Sequence, residues 1–527
     1  MRRRTVLTGL AAGLAAGLAR PAVARAASAT TLRFVPQIDL AFLDPHWTTA
    51  NVTRNHGQMV FDTLYGCDTS YRPMPQMLEG HVTAADGLEW RLVLRPGLVW
   101  HDGAPVLARD CVASIRRWAK RDAFGGNLMR ATDELSASDD RTIRFRLNKP
   151  FPLLPDALGK PAAYMCAMMP ERLALTDPGT QVTEMVGSGP FRYVPDERLQ
   201  GSRNVYARFE GYVPRPSGVV DWFSGPKVVH YDRVEWTTIP DGATAAAALQ
   251  AGEQDWWEQA TPDLLPLLRR ARGITVETMD PSGTVGMMRP NHLQPPFDNP
   301  AIRRAVLGVI DQAAMMQAVV GDDPGMYHVP VGVFTPGTPM ASEAGLGALG
   351  GRDPAAVAAA IRAAGYAGET VALLVPTDYL HMQLMGEVFA DTLRRVGMTV
   401  EFVATDWATM LQRRTNKGPV GKGGWSGFVT SWTGSDWLNP STHISLRGNG
   451  EAGYPGWSTS PRTETLIQDW FAAPDVQARQ VVCRDIQVQC MEDVPYYPLG
   501  QFAVMTAHRG ITGVLKGFAT FWNVRPA

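Results

Sequence analysis

The chain has 527 residues, of which 45% are hydrophobic and 19% are charged, so it is long enough to bury a large core. At roughly 150 residues per domain, this length predicts about three domains. Lys and Arg total 50 and Asp and Glu total 51, which leaves a formal net charge of -1. This balance argues against nucleic acid or an anionic membrane surface as a partner.

The first residues have the pattern of a targeting segment. Arg3-Arg4 opens a twin-arginine motif, a Gly/Ala-rich apolar run follows to residue 19, and Ala24-Arg25-Ala26 supplies a cleavage site. The run is too short to span a membrane. Because no Cys lies near the cleavage site, we expect no lipid anchor. The sequence predicts a signal peptide over 1–26 and export to the periplasm through the twin-arginine pathway.

Residues 32–35 are predicted to form a strand and residues 55–64 a helix. The next informative stretch is 86–118. Leu88, Trp90, Leu92 and Leu94 alternate with Glu89, Arg91, Val93 and Arg95, which is typical of a half-buried strand, and a second short strand is expected at Val99-Trp100. From Ala108 the apolar residues recur at helical spacing, with Arg109, Asp110, Arg116 and Arg117 on the other face.

The middle of the chain supplies clear helix signals. A helix over 242–252 is predicted to end at Gly252, and a strand is predicted over 274–279. Asn299 is a natural N-cap with Pro300 at the first helical position. We expect one helix from there to Gly321.

The C-terminal third alternates short strands with helices. Strands are predicted over 370–375, 398–403 and 427–431, with helices over 379–396 and from Asp406 to Arg414. This order predicts a largely parallel sheet. A long helix is expected over 475–492. Asp378 is interpreted as the N-cap of the helix that starts at Tyr379.

The 5 cysteines cannot all pair, so at least one is free. Cys483 and Cys490 lie on one predicted helix, where a seven-residue spacing gives a separation of about 10 Å, beyond the roughly 7 Å limit for a disulfide. We therefore expect a fold that does not depend on disulfides.

Motifs for catalysis and metal binding were sought and not found. The 10 His residues contain no His-Glu-x-x-His pattern, and no nucleophile elbow, dinucleotide fingerprint or Walker loop occurs. The sequence thus favours binding over chemistry, and we predict no catalytic residue, no metal and no cofactor.

Several of these segments resemble the sequence motifs of one protein family. Residues 94–110, LRPGLVWHDGAPVLARD, closely resemble the signature of the peptide-type solute-binding proteins of bacterial ABC importers, the dipeptide- and oligopeptide-binding proteins of family 5. Leu107 departs from it, since Thr is usual there as a helix cap. Further similarities are Gly187-Ser188-Gly189-Pro190-Phe191, the Ala-rich helix ending in Gly252-Glu253-x-Asp255, and the element around Pro296-Phe297-Asp298-Asn299.

The resemblance covers about residues 30–527 and implies an α/β, two-lobed periplasmic binding protein fold of type II, peptide-binding cluster, with an inserted small third domain. The implied division places lobe I at 27–70, 187–287 and 496–527, the inserted domain at 71–186, and lobe II at 288–495. The chain is then expected to cross between the lobes near 289–291 and 494–498.

The candidate ligand site lies between Gly423 and Trp457, on loops rich in Gly, Ser and Asn. Trp432-Thr433-Gly434-Ser435-Asp436 resembles the family's "W-T-G-D", in which the Asp holds a peptide amine. Here Ser435 takes that position and Asp436 is shifted by one. We predict ligand-binding roles for Trp432, Asp436, Ser435, Trp425 and Trp437. For each the alternative is a core, turn or capping role, and this alternative is favoured for Trp425 and Trp437.

The family's Arg for a dipeptide carboxylate would precede the helix at Tyr379, but the chain has Pro376-Thr377-Asp378 there. The predicted function is capture of a peptide or peptide-like solute by a monomer that closes its lobes on the ligand. The partners would be an inner-membrane ABC permease and its ATPase. The alternatives are a non-peptide ligand (nickel complex, haem, oligosaccharide or opine) and an exported hydrolase on a similar scaffold.

Overall fold

A computed structural model describes residues 30–527, with the exception of the Ala408 side chain. The predicted signal peptide lies outside these residues. The strands are β1 Thr31–Val35, β2 Tyr65–Cys67, β3 Pro73–Pro75, β4 Leu78–Thr83, β5 Glu89–Leu94, β6 Thr132–Ala137, β7 Thr142–Leu147, β8 Phe191–Tyr193, β9 Arg203–Arg208, β10 Arg233–Thr237, β11 Trp256–Trp257, β12 Ile274–Pro290, β13 Tyr327–His328, β14 Val371–Pro376, β15 Val400–Thr405, β16 Gly427–Thr433, β17 Tyr497–Arg509, β18 Ile511–Thr512 and β19 Arg525–Pro526.

The α-helices alternate with these strands along the chain. They are α1 Asn51–Val60, α2 Ala108–Ala119, α3 Ala123–Arg130, α4 Leu154–Leu158, α5 Glu171–Ala174, α6 Gly242–Ala251, α7 Leu265–Arg270, α8 Pro300–Leu307, α9 Gln312–Val320, α10 Pro354–Ala363, α11 Leu380–Arg395, α12 Trp407–Arg413, α13 Pro461–Ala472 and α14 Val476–Asp493. Among residues 30–527, no helix is both long enough and apolar enough to cross a membrane.

One long sheet runs through both halves of the molecule, in the order β15-β14-β16-β12-β17-β11-β1-β10-β9-β8. Its first half packs on α9 and α11, and its second half surrounds the aromatic core formed by Phe34, Trp236 and Trp256. The fold is therefore the α/β, two-lobed arrangement that the sequence predicts.

The two halves share β12 and β17, which pair antiparallel over nearly their whole length. The register of this pair shifts between Thr278 and Asp280 and again between Asp280 and Thr284. From Thr284 onward β12 also pairs with β16. The junction between the half-sheets thus lies near Asp280–Thr284 on β12, before the crossover that the sequence predicts at 289–291.

The second half-sheet positions the candidate site. β14 pairs parallel with both β15 and β16, as the alternation of strands and helices predicts. Since parallel strands end at the same edge, Pro376, Thr405 and Thr433 mark a common carboxyl edge. Open α/β sheets bind ligands beyond such an edge.

The stretch 86–118 folds largely as its two periodicities predict. In β5 the side chains of Trp90, Leu92 and Leu94 are buried, and a separate sheet forms in the order β4-β5-β7-β6. Leu107 offers no side-chain cap to α2. Instead, Asp110 Oδ2 accepts a hydrogen bond of 2.9 Å from the Leu107 backbone N–H. The second predicted strand at Val99 is only an isolated bridge to Pro105.

Helix α2 is also tied to the first lobe by a buried ion pair. The Arg117 side chain is 1% exposed, and its Nη2 lies 2.7 Å from Asp44 Oδ2. Asp44 further accepts the backbone N–H groups of His46 and Val182. A fully buried carboxylate is thus matched by one guanidinium and two amides, as burial of charge requires.

Two local predictions are wrong. The single helix expected from Pro300 to Gly321 is two helices, because the chain turns at Gly308 and Asp311 caps α9 by accepting the Ala314 N–H at 3.0 Å. Asp378 does not cap α11. Its carboxylate accepts the backbone N–H of Trp407, at the start of α12, with 3.0 Å to each oxygen. The 5 cysteines are buried and free.

Candidate ligand-binding site between the lobes

The turn after β16 brings two predicted site residues to the boundary between the lobes. Residues Gly434–Trp437 form a 3-10 turn in which Ser435 and Asp436 are buried. The backbone of Gly434 runs so close to β12 that a β-carbon there would lie 1.9 Å from the Ser282 carbonyl oxygen. Glycine is therefore required at this position, and it fixes where the two following side chains point.

Asp436 joins parts of the chain that are far apart in sequence. Its Oδ1 accepts the backbone N–H of Ala163 at 3.2 Å, and its Oδ2 accepts the Thr433 hydroxyl at 2.6 Å. The residue is 6% exposed. A carboxylate offers about four acceptor positions, so two remain for another donor. The contact with Ala163 shows that the role of Asp436 extends beyond its own turn.

Arg54 on α1 is a site residue that the sequence reasoning missed. Its Nη1 lies 3.4 Å from Ser435 Oγ and 3.3 Å from the Pro161 carbonyl oxygen, so it meets the same turn from the first lobe. Its guanidinium carbon lies 4.3 Å from the ring centroid of Phe518. Arg54 gave no sequence signal of this role, because it precedes the predicted helix over 55–64, whereas in the structure it lies on α1, which is buried from Val52 to Val60.

Two further carboxyl groups lie near Arg54, and both are engaged by neutral donors. Glu258 accepts the Asn55 side-chain amide at 2.6 Å and the Gln37 N–H at 2.8 Å. Asp280 accepts the backbone N–H and hydroxyl of Ser282. Burial raises the pKa of both carboxyl groups. Burial lowers the pKa of Arg54, while the charges of Asp436, Asp280 and Glu258 act in the opposite direction.

Trp432 lies at the same end of β16 but on the opposite side of the strand from Thr433, as the alternation of strand side chains requires. Its ring is half-buried, with its centroid 6.0 Å from that of Tyr454. The indole Nε1 is buried and has no hydrogen-bond partner. A buried indole N–H normally donates to a hydrogen-bond acceptor, and an oxygen atom of a ligand can serve as that acceptor.

Trp425 and Trp437 are placed differently. Trp425 is fully buried in a cluster with Phe428 and Trp457, and its Nε1 donates to the Arg414 carbonyl oxygen at 3.1 Å. Trp437 is 1% exposed and stacks on His443 with 4.4 Å between ring centroids. Both rings are buried against protein groups, as the core alternative predicts. The proposed site therefore does not include them.

A second contact, here called the rim contact, joins the predicted inserted domain to the second lobe. Phe471 on α13 lies between Phe124 and Phe151, with ring centroids 5.8 and 6.0 Å apart, and it stacks on Phe151. Together with the contacts of Ser435 and Asp436, this holds the lobes against each other. The geometry defines a class of protein, namely one with a two-lobed α/β binding-protein fold and charged groups buried where the lobes meet.

Comparison with known proteins agrees with this class. The family model described as "Bacterial extracellular solute-binding proteins, family 5 Middle" matches residues 72–454. The "Probable peptide ABC transporter periplasmic-binding protein y4tO" of Sinorhizobium fredii is 35% identical, over 100% of this chain and 99% of its own. The glutathione-binding protein GsiB of Escherichia coli K12 is 24% identical, over 89% of each chain.

Solved structures show the same fold at lower identity. A dipeptide-binding protein from Pseudoalteromonas sp. SM9913 in complex with Met-Leu has a TM-score of 0.78 at 18% identity, covering 94% of this chain and 100% of its own. AgaA of A. tumefaciens R10, in complex with agropinic acid, has a TM-score of 0.77 at 19% identity, with 94% and 99% covered. The chain belongs to the bacterial extracellular solute-binding proteins of family 5.

Proposed function

We propose that this protein captures a peptide or peptide-like solute in the periplasm and delivers it to an ABC permease and its ATPase in the inner membrane. The observation that carries the proposal is the buried charged group between the lobes, with Asp436 on one side and Arg54 on the other. The 35% identity to a protein named as a peptide transporter component supports the peptide class.

In this proposal Asp436 receives the ligand's amine, and the Thr433 hydroxyl holds the Asp436 carboxylate in place. Ser435 links that hydroxyl to Arg54, and Trp432 supplies an apolar wall. Lobe closure then removes the ligand from water. This strengthens the charge-assisted hydrogen bond, which contributes roughly 1.5–3 kcal/mol. The mechanism needs no covalent step, and a single chain contains the complete site, so we propose that the protein acts as a monomer and not as an enzyme.

Other ligand classes receive less support. The structural neighbours include proteins solved with Ni(L-His) and with agropinic acid. Within residues 30–527, no group of three or more His, Cys, Asp or Glu side chains is arranged to hold a metal ion. A nickel complex would therefore depend on its own chelator, whereas the amine of a peptide finds a carboxylate already in place.

Export is proposed to follow the twin-arginine route, on the strength of Arg3-Arg4 and the segment that follows. The free, buried cysteines are compatible with a protein that folds before it crosses the membrane. Replacing both arginines by lysine should stop the appearance of protein in the periplasm. Normal export of that variant would contradict the route.

Native mass spectrometry tests the proposed function. Protein purified without refolding is incubated with a mixture of short peptides, and the bound species is released and weighed. We expect a mass increment equal to an intact peptide. Release of a cleaved product would favour the hydrolase, and retention of no peptide from the mixture would contradict the peptide assignment.

A further inference from the structure

Arg54 carries a buried charge that the protein itself leaves incompletely matched. The residue is 5% exposed, and its Nε has no hydrogen-bond partner. Its Nη1 contacts, to Ser435 Oγ and the Pro161 carbonyl, are long and involve only neutral acceptors. Among residues 30–527, no carboxylate lies within 4.0 Å of its nitrogens.

A buried guanidinium of this kind destabilises the fold unless another group compensates its charge. Burial of an ion is strongly unfavourable unless a counter-charge or a full set of hydrogen bonds compensates it. The nearby carboxyls of Glu258 and Asp280 are turned to other donors. The guanidinium carbon lies over the ring of Phe518, and the guanidinium edge that carries Nε has no hydrogen-bond partner. The group best suited to that edge is a planar carboxylate, because a guanidinium can bind it with two parallel hydrogen bonds.

Arg54 and Asp436 are connected by a short series of side-chain contacts. Arg54 Nη1 lies 3.4 Å from Ser435 Oγ, Ser435 Oγ lies 3.1 Å from Thr433 Oγ1, and that hydroxyl lies 2.6 Å from Asp436 Oδ2. A cationic donor and an anionic acceptor are thus separated by only two small hydroxyl side chains. Burial raises the pKa of Glu258 and Asp280, which favours their neutral forms and weakens their repulsion of an incoming carboxylate.

We propose that Arg54 and Asp436 together bind a zwitterionic α-amino-acid head, in which the ligand's amine and carboxylate are carried by the same carbon. This inference rests on the proposed function and narrows its ligand class. The ends of an extended dipeptide lie up to about 7 Å apart, because each residue spans up to about 3.6 Å. The three consecutive contacts limit Arg54 Nη1 to a distance of at most about 9 Å from Asp436 Oδ2. An α-amino-acid head with a hydrogen bond of about 2.9 Å at each end fits this limit, whereas an extended dipeptide bound through both ends needs a longer separation.

The experiment uses two isomeric probes, γ-glutamyl-alanine and α-glutamyl-alanine, titrated calorimetrically into the full mature protein. They have the same atoms and the same net charge, but only the γ isomer retains an amine and a carboxylate on one carbon. We expect the γ isomer to bind at least about tenfold more tightly. Equal affinity, preference for the α isomer, or no binding of the γ isomer up to about 10 mM would overturn the inference.

Variants of Arg54 provide the second arm. Arg54→Gln should weaken binding of the γ isomer by about tenfold or more and remove the isomer preference, with Arg54→Lys restoring part of it. Arg362→Gln, at an exposed position on α10, is the matched control and should bind both isomers as wild type does. An isomer preference that persists in Arg54→Gln would contradict the role of Arg54.

The two proposals fail in distinguishable ways. If the γ isomer does not bind but other intact peptides are retained in native mass spectrometry, only the amino-acid-head inference is wrong. If no peptide of either linkage is retained, the peptide assignment itself fails.

Discussion

The backbone N–H of Ala163 donates a hydrogen bond of 3.2 Å to Oδ1 of Asp436. The residues are 273 positions apart, and the bond joins a segment within the predicted inserted domain to the turn after β16. The carboxylate is consequently positioned by both sides of the boundary between the lobes. Any ligand donor that uses its remaining acceptor positions is bound at the point where closure occurs.

Replacing Asp436 by Asn should weaken an amine-bearing ligand by about ten- to a hundredfold, because the charge-assisted hydrogen bond is lost. The melting temperature of the unliganded protein should hardly change. An Asn amide can still accept the Ala163 N–H and donate to the Thr433 hydroxyl, so the local geometry is kept. Calorimetric titration of the ligand identified by mass spectrometry measures the effect.

Asp469→Asn, at an exposed position on α13, is the matched control for this change of charge. It should leave affinity unaltered. If Asp436→Asn binds the ligand as tightly as the control does, Asp436 has only a structural role in the turn.

Replacing Phe471 by Leu should disfavour the closed, ligand-bound form. Leucine keeps the residue apolar but loses the aromatic contacts with Phe124 and Phe151, which contribute about 0.5–1.5 kcal/mol beyond buried area. At a fixed, sub-saturating ligand concentration, small-angle scattering should show a larger radius of gyration than in wild type at the same concentration. A radius identical to wild type, in a variant that melts normally, would show that this rim contact does not hold the lobes together.

Replacing Arg117 by Met should lower the free energy of unfolding by about 3–5 kcal/mol, because Asp44 would remain buried without its counter-charge. Urea denaturation measures the loss. Arg109→Met on the same helix provides the comparison, since Arg109 is 64% exposed and lies 3.7 Å from Glu171. That surface pair should contribute no more than about 1 kcal/mol. Similar losses in the two variants would contradict this assignment.

Acid should destabilise the fold partly through His46. Burial lowers its pKa from 6.5 to about 4, so the folded protein binds fewer protons than the unfolded chain between these values. The stabilisation is therefore complete above pH 6.5 and is lost as the pH falls towards 4. Both ring nitrogens lack hydrogen-bond partners, so His46→Phe removes the titration without breaking a bond.

The wild-type protein should therefore lose about 2 kcal/mol more than His46→Phe between pH 7 and pH 5. Urea denaturation at the two pH values gives this difference directly. Parallel losses in the two proteins would show that His46 does not titrate in this range.

Local sequence patterns predicted most of the helices and strands. The alternation around Trp90 and the helical spacing after Ala108 predict β5 and α2 because each pattern follows from one buried face. The single helix predicted from Pro300 was wrong because Val309 and Ile310 continue the apolar stripe through the turn where the chain breaks. Periodicity shows which side chains are apolar, but it does not show that the backbone turns at Gly308.

The site was only partly predictable. The Gly434-Ser435-Asp436 turn follows a strand and carries its own sequence signal. Arg54 does not, because its meaning depends on Ser435 and Pro161, which approach it only in the folded chain. Trp425 and Trp437 are buried against other side chains, since a tryptophan in a Gly-rich loop can fill a core as well as a cleft, and their ligand roles stay predictions. For Asp378, a helix-capping residue was recognised but assigned to the wrong helix.

The central claim is that solute capture and lobe closure are one event. Small-angle scattering during titration with the identified ligand tests it most directly, with occupancy followed by calorimetry on the same preparation. We expect the radius of gyration to fall in proportion to occupancy and to be smaller at saturation than in the ligand-free protein. A radius that stays constant up to saturation with ligand would contradict the mechanism.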